Sequence, residues 1–126
     1  MNLLDSNIVI EAGNTGREGL SLLLTGGTSA CVSMATVVEV LGYHRLDEST
    51  RLLFEMFFAK LVVYLIDTPV VQKAIALRQI RKMSLGDAFI AATALVHDLP
   101  LVTRNVADFV WIDRLRVIDP NASKGT

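Results

Sequence analysis

Residues 2–12 read NLLDSNIVIEA. A short apolar run, NLL, stops at an acid, Asp5, and a helix is expected to open at Ser6 or Asn7 and run to Gly13. Such a strand-to-helix handover is the unit of a parallel sheet, because parallel neighbours need a crossover between them. The same alternation recurs along the chain. A helix is expected over residues 18–24, stopped by Gly26 and Gly27. SACVS (29–33) then reads as a second strand, and residues 34–45 as a helix with Met34, Val37, Val38 and Leu41 on one face. Asp47 or Glu48 opens a further helix through Phe58, and LVVYLI (61–66) is a third strand rich in β-branched residues. Thr68 followed by Pro69 supplies a capping hydroxyl and then a proline at the first helical position of a helix running toward Lys82. Ser84 opens the next helix, to about His97. LVT (101–103) is a short strand, Asn105 opens one more turn, and LRVID (115–119) is the final strand.

The resulting order is β-α-α-β-α-α-β-α-α-β-α-β, with no internal repeat and no linker long enough to divide the chain. Helices between apolar strands imply an α/β fold whose mainly parallel sheet is covered on both faces. One domain over residues 1–120 is expected, followed by a polar tail, NASKGT, at 121–126. At 126 residues the chain is long enough for one sizeable core.

Hydrophobic residues make up 52% of the sequence and mean hydropathy is +0.46, which leaves apolar residues over once a core is filled. That surplus points to a partner or a homodimer, with Phe54, Met56, Phe57 and Phe58 as candidate contact residues, although helical periodicity assigns at least two of them to the core. No apolar stretch reaches the roughly 20 residues of a membrane span, so no membrane association is expected. The first residues lack the basic start and cleavage site of a secretory signal, and the single cysteine, Cys31, sits in an apolar run. A cytoplasmic, reducing setting fits both observations. Net charge is −1, so nucleic acid would have to be met by a local patch. Arg78, Arg81 and Lys82, at i, i+3 and i+4, form the candidate, although taken alone a solvated helix end explains them better.

Four acids punctuate the chain where strands hand over to helices or soon after: Asp5, Glu39, Asp87 and Asp108. In open parallel sheets, sites form beyond the carboxyl ends of the strands where strand order reverses. Asp5 follows NLL, and Asn105 and Asp108 follow LVT, at that edge. Each acid also has an ordinary explanation. Asp87 falls three residues after Ser84, and Asp108 three after Asn105, in the spacing of a capping box; Glu39 suits the solvent face of an amphipathic helix. Yet Glu39 is flanked by four apolar residues, and Asp87 opens the small apolar run AFIAATALV. Carboxylates gathered in such surroundings repel one another and lose hydration unless a cation intervenes, and oxygen ligands select hard ions such as Mg²⁺ or Mn²⁺. The pattern therefore points to a metal-dependent hydrolase acting on phosphodiesters. His44 and His97 lack partners at zinc-ligand spacing. No phosphate-binding Gly-rich loop ends in Lys-Ser/Thr, no Ser lies in G-x-S-x-G, and Asn7 stands where an aspartyl-phosphate phosphatase wants a second Asp.

LLDSN (3–7), the Glu within TVVEVLGYHR (36–45), SLGDAFIAATAL (84–95) and LVTRNVADF (101–109), in that order, resemble the PIN-domain nucleases over nearly the whole chain, and specifically the VapC-like toxin branch of type II toxin–antitoxin systems. The resemblance implies a three-layer α/β/α sandwich and a divalent-metal-dependent endoribonuclease. Asp5, Glu39 and Asp87 match the acidic triad that holds Mg²⁺ or Mn²⁺. The fourth acidic position is Asn105 here, with Asp108 one turn later, so either Asn105 or Asp108 completes the site, with Asp108 the acid assigned to catalysis and metal. Ser6 and Thr103 match hydroxyl positions that orient carboxylates or water, with Asn105 beside them. Arg78, Arg81, Lys82 and Arg104 are the candidates for contact with the RNA backbone. The resemblance further implies an antitoxin protein occupying the active-site groove, a homodimer, and DNA contact only indirectly, through the antitoxin. A PIN-like interaction module that has lost catalysis is the alternative; Asn105 favours it, and the retained Asp5, Glu39 and Asp87 oppose it.

Overall fold

Five strands form one sheet in the order β3-β2-β1-β4-β5, and every neighbouring pair is parallel. The strands are β1 (Asn2–Leu4), β2 (Ala30–Ser33), β3 (Val62–Tyr64), β4 (Leu101–Val102) and β5 (Val117–Ile118). Between them run α1 (Ser6–Asn14), α2 (Arg17–Thr25), α3 (Met34–Leu41), α4 (Glu48–Ala59), α5 (Thr68–Ile80) and α6 (Leu85–Val96), with a 3₁₀ turn at Val106–Asp108. The computed structural model describes residues 1–121, so of the expected tail only Asn121 falls within the described part. Element order and type follow the sequence expectation throughout. Among the described residues no helix is long and apolar enough to cross a membrane.

Alternation along the strands builds the two cores. Leu3, Cys31 and Leu101 point into a cluster with α5 and α6, while Leu4 and Val32 point into a second with α1, α2 and α4. A strand presents successive side chains to opposite faces, so a sheet covered on both faces makes a three-layer α/β/α sandwich. Cys31 is fully buried, its thiol pushed up to about 11 by burial, and it behaves as a small apolar residue. Helix α6 carries buried Ala88, Ala91, Ala92 and Ala94 beside Ile90; the short alanine side chains let it pack closely against the sheet and α5.

Four expectations are corrected. The helix at Met34 ends at Leu41 rather than Arg45, with Gly42 as its C-cap, whose N–H makes an i→i−4 bond to the Val38 carbonyl at 2.8 Å. Its buried residues are Ala35, Thr36 and Val40, whereas Val38 is 64% exposed: Ala35 joins one core and Val40 the other, so tertiary contacts override the most apolar stripe. The cap of α5 is Asp67, whose carboxylate accepts from the Val70 N–H at 3.3 Å, and Thr68 lies inside the helix. Phe54, Phe57 and Phe58 are all core residues, which leaves Met56 alone of that group exposed.

Gly13 of α1 faces the Phe54 ring of α4. A β-carbon there would lie 2.4 Å from Cζ of buried Phe54 and 2.6 Å from its Cε1. Gly13→Ala gains helix propensity of about 1 kcal/mol but overpacks a filled core at a cost of about 1–3 kcal/mol. The net expectation is a lower melting temperature, measured by thermal unfolding; an unchanged or higher value would show that the ring moves aside freely.

Candidate active site

Strand order reverses between β1 and β4: from β1 the chain moves outward to β2 and β3, then returns to the other side of β1 for β4 and β5. The crevice beyond these two carboxyl ends is where ligands bind in such sheets. The Asp5 N–H donates to the Val102 carbonyl at 2.9 Å, fixing the end of β1 against β4. Asp5 is 4% exposed and caps α1, its Oδ1 accepting from the Ser6 N–H at 2.8 Å. Its Oδ2 accepts from the Thr103 hydroxyl at 2.7 Å and the Asn7 amide at 3.2 Å.

Thr103 in turn accepts from the Asn105 N–H at 3.0 Å, which ties the segment after β4 to the first acid. Asn7 completes that tie: its Oδ1 accepts from the Arg104 N–H at 3.3 Å, so its amide orientation is set from both sides. Sequence reasoning used Asn7 only to exclude a phosphatase. Its place two residues after Asp5, in the first turn of a helix starting at the sheet edge, is the signal that would have revealed it.

Glu39 reaches the same region from α3. Its Oε1 accepts from the Ser6 hydroxyl at 2.7 Å, and Ser6 lies 3.2 Å from the buried Thr36 hydroxyl, one turn before Glu39. Ser6 thus joins Asp5, through its backbone, to Glu39, through its side chain. The apolar flanks of Glu39 do not bury it; its solvent-facing position matches the amphipathic explanation, while its carboxylate still turns toward Ser6. Asp87 lies in the first turn of α6, whose cap is Ser84: the Ser84 hydroxyl accepts from the Asp87 N–H at 3.1 Å. Asp108 ends the 3₁₀ turn and is exposed; Asn105 precedes that turn without a side-chain cap, so the expected capping box is absent there.

The acids sense one another. Burial raises the Asp87 carboxyl above its ordinary 3.8, and the negative charges of Asp5, Asp108 and Glu39 raise it further, with a Ser84 hydrogen bond opposing. Burial also raises Asp5, against the hydrogen bonds from Thr103 and Ser6, and Asp108 adds to the rise. All four acids therefore share one field. Among the described residues, none of the ion pairs engages any of them. Nor do three acidic, histidine or cysteine side chains close into a ready-made ligand cage. The donor set nonetheless fits a hard divalent ion: carboxylate, hydroxyl and amide oxygens only, with no sulfur or imidazole, and an uncompensated negative charge.

The basic candidates divide. Arg104 is engaged within the fold: its Nε–H donates to Glu11 Oε2 at 2.9 Å, and the guanidinium also reaches the second Glu11 oxygen and Asn121. Arg81 stacks over Trp111 at 5.3 Å from the ring centre. Arg78, which donates to the Met83 carbonyl, and exposed Lys82 line a cleft of about 500 Å³ with Leu85 and Phe89 beside the start of α6. A separate groove of about 320 Å³, lined by Ile10, Val40, Tyr43, Leu46 and Phe54, runs to Glu39.

No curated protein matches the chain at a significant level. Solved structures do. A toxin–antitoxin complex from Klebsiella pneumoniae is 31% identical, with 95% of this chain and 98% of that chain covered at a TM-score of 0.75. VapBC2 from Rickettsia felis, bound to a DNA fragment from the promoter, is 20% identical over 93% and 96%, also at 0.75. DNA-bound VapBC from Salmonella typhimurium is 22% identical over 94% and 98%, at 0.72. The PIN domain family model matches residues 3–114, nearly the full described chain. The chain therefore belongs to the PIN-domain family and resembles VapC-like members in fold.

Proposed function

We propose that this PIN domain is the toxin of a toxin–antitoxin pair, a divalent-metal-dependent endoribonuclease that hydrolyses phosphodiester bonds in single-stranded RNA. The observation that carries the reading is the shared field of Asp5, Glu39, Asp87 and Asp108 at the switch point of the sheet, with no cationic side chain among the described residues paired to it. Asp5 and Asp87 would be the main ligands of Mg²⁺ or Mn²⁺, with Glu39 close by and Asp108 completing the negative set. The chemistry such an ion supplies is Lewis acidity, which lowers the pKa of water and offsets charge building on phosphoryl oxygens.

The chain's own side chains set the geometry. Thr103 and Asn7 orient the Asp5 carboxylate, and Ser6 orients Glu39, in the manner of hydrogen-bonded groups behind a ligand shell. Asn105, held through its N–H by Thr103, is exposed at the head of the turn that ends at Asp108. The raised carboxyls of Asp5 and Asp87 hold their protons more tightly than free aspartate, so cleavage should fall as acid protonates them. Arg78 and Lys82 supply positive charge in the cleft at the start of α6 for the RNA backbone, without reading sequence. Arg104 is assigned instead to holding the segment after β4 against α1, because Glu11 already occupies its guanidinium.

The antitoxin is assigned to the groove that ends at Glu39. Its apolar floor suits an amphipathic segment, and its acidic end suits a basic side chain. A homodimer fits the exposed Ile75, Ile80 and Leu85 around the α5–α6 face. The test is cleavage of a labelled single-stranded RNA with double-stranded RNA and single-stranded DNA as competitors. Activity should vanish in EDTA and return with excess Mg²⁺ or Mn²⁺. Cleavage that persists after exhaustive chelation would end the metal-dependent reading.

A further inference from the structure

Gly86 lies in the first turn of α6, between the cap Ser84 and Asp87. A β-carbon at this position would stand 2.9 Å from Glu39 Oε2, 3.1 Å from its Cδ and 3.3 Å from Oε1. The backbone does not require glycine, since Gly86 is not among the residues with positive φ. Within a helix, glycine is less stable than alanine by roughly 0.5–1 kcal/mol. Local helix physics therefore favours a side chain here, and the nearest atoms that oppose one belong to the Glu39 carboxylate.

The Glu39 side chain is exposed, and its carboxylate is placed by what touches each oxygen. One oxygen is held by the Ser6 hydroxyl at 2.7 Å, and the other faces Gly86. To reach ordinary contact, 3.4 Å or more, with an alanine methyl, the carboxylate would have to withdraw by about half an ångström. A flexible side chain absorbs such a shift cheaply in stability. A metal or catalytic site does not, because productive geometry is held to about half an ångström.

We propose that Gly86 is a positioning residue, whose missing side chain seats the Glu39 carboxylate between Ser6 and the first turn of α6, beside Asp87. The inference rests on the reading of the acidic site as a metal-dependent nuclease and adds a residue that carries no donor of its own. The experiment compares wild type, Gly86→Ala, Glu39→Gln and the double variant by thermal unfolding, Mn²⁺ titration, RNA cleavage and a metal-free crystal structure of Gly86→Ala.

Gly86→Ala is expected to keep or raise the melting temperature. It should nonetheless bind Mn²⁺ and cleave RNA about tenfold less well, in the range known for groups that orient metal ligands. In the crystal the Glu39–Ser6 hydrogen bond should be lengthened or lost. The double variant should lose no more than Glu39→Gln alone, because the two changes act on one carboxylate. Losses that multiply, or Glu39 found unmoved, would overturn the role of Gly86, as would a variant that binds and cleaves like wild type. A wild-type protein that binds no Mn²⁺ would overturn the nuclease reading and the role of Gly86 with it.

Discussion

Asp87→Asn is expected to reduce RNA cleavage by about a thousandfold or more while raising the melting temperature of the metal-free protein at neutral pH. The first effect follows from removing a ligand charge from a site whose chemistry depends on a correctly held cation, an interaction carrying several kcal/mol of the barrier. The second follows from electrostatics. Burial and the charges of Asp5, Asp108 and Glu39 raise the Asp87 carboxyl above 3.8. A raised carboxylate binds its proton more tightly folded than unfolded, so stability falls as pH climbs from 3.8 through the folded value. Above that window the full penalty is present, and asparagine is free of it. The advantage of the variant should shrink as pH is lowered and vanish below 3.8, where both side chains are neutral. Excess Mn²⁺ should reverse the order by stabilising the wild type alone, since only the state that binds an ion gains from it. A metal-free variant that melts below wild type at pH 7 would remove the argument that these acids strain one another.

How much of this was legible beforehand differs between fold and site. The strand-helix alternation from NLLDSN onward carried the whole element order, because parallel α/β units separate short apolar runs from longer amphipathic ones. The placing of Asp5, Asn105 and Asp108 after the strand ends followed from the same alternation together with the switch-point rule, whereas Ser6 and Thr103 were implied by the family resemblance. Details that depend on three-dimensional packing were not readable. The face that α3 buries is decided by its contacts with both cores, which the Met34–Val37–Val38–Leu41 stripe does not encode. The capture of Arg104 by Glu11 joins residues 93 positions apart, and in sequence Arg104 looks as free as Lys82. The service of Gly86 to Glu39 is likewise invisible until α3 and α6 are placed side by side. Asp108 remains legible only as an acid one turn beyond Asn105; its share in the site rests on the charge it exerts on Asp5 and Asp87.

Asp5→Asn should eliminate cleavage as thoroughly as Asp87→Asn, yet without the gain in stability, and the contrast tests the hydrogen-bond scheme itself. Burial raises the Asp5 carboxyl too, so removing the charge relieves some strain. An amide, however, is not a protonated acid. In the variant one side-chain oxygen can still cap α1 by accepting from the Ser6 N–H, since asparagine caps helices as well as aspartate does. The NH₂ group must then occupy the place of Oδ2, which now accepts from both the Thr103 hydroxyl and the Asn7 amide. Thr103 can rotate its hydroxyl to accept. Asn7 cannot turn its amide without abandoning the Arg104 N–H that its own oxygen accepts. Two NH₂ groups are left facing one another; that of half-buried Asn7 keeps only its long 3.4 Å bond to the Thr103 hydroxyl, and a donor that loses its acceptor inside the fold costs about 1–3 kcal/mol. That cost cancels or exceeds the relief, so the metal-free melting temperature should be equal to or below that of wild type. Removing the second donor should restore the balance: in the double variant Asp5→Asn with Asn7→Ala, the added loss from the second change should be smaller than Asn7→Ala causes alone. A double variant whose losses simply add would show that Asn7 is a bystander, and that the orientation of Asp5 rests on Thr103 and Ser6 only.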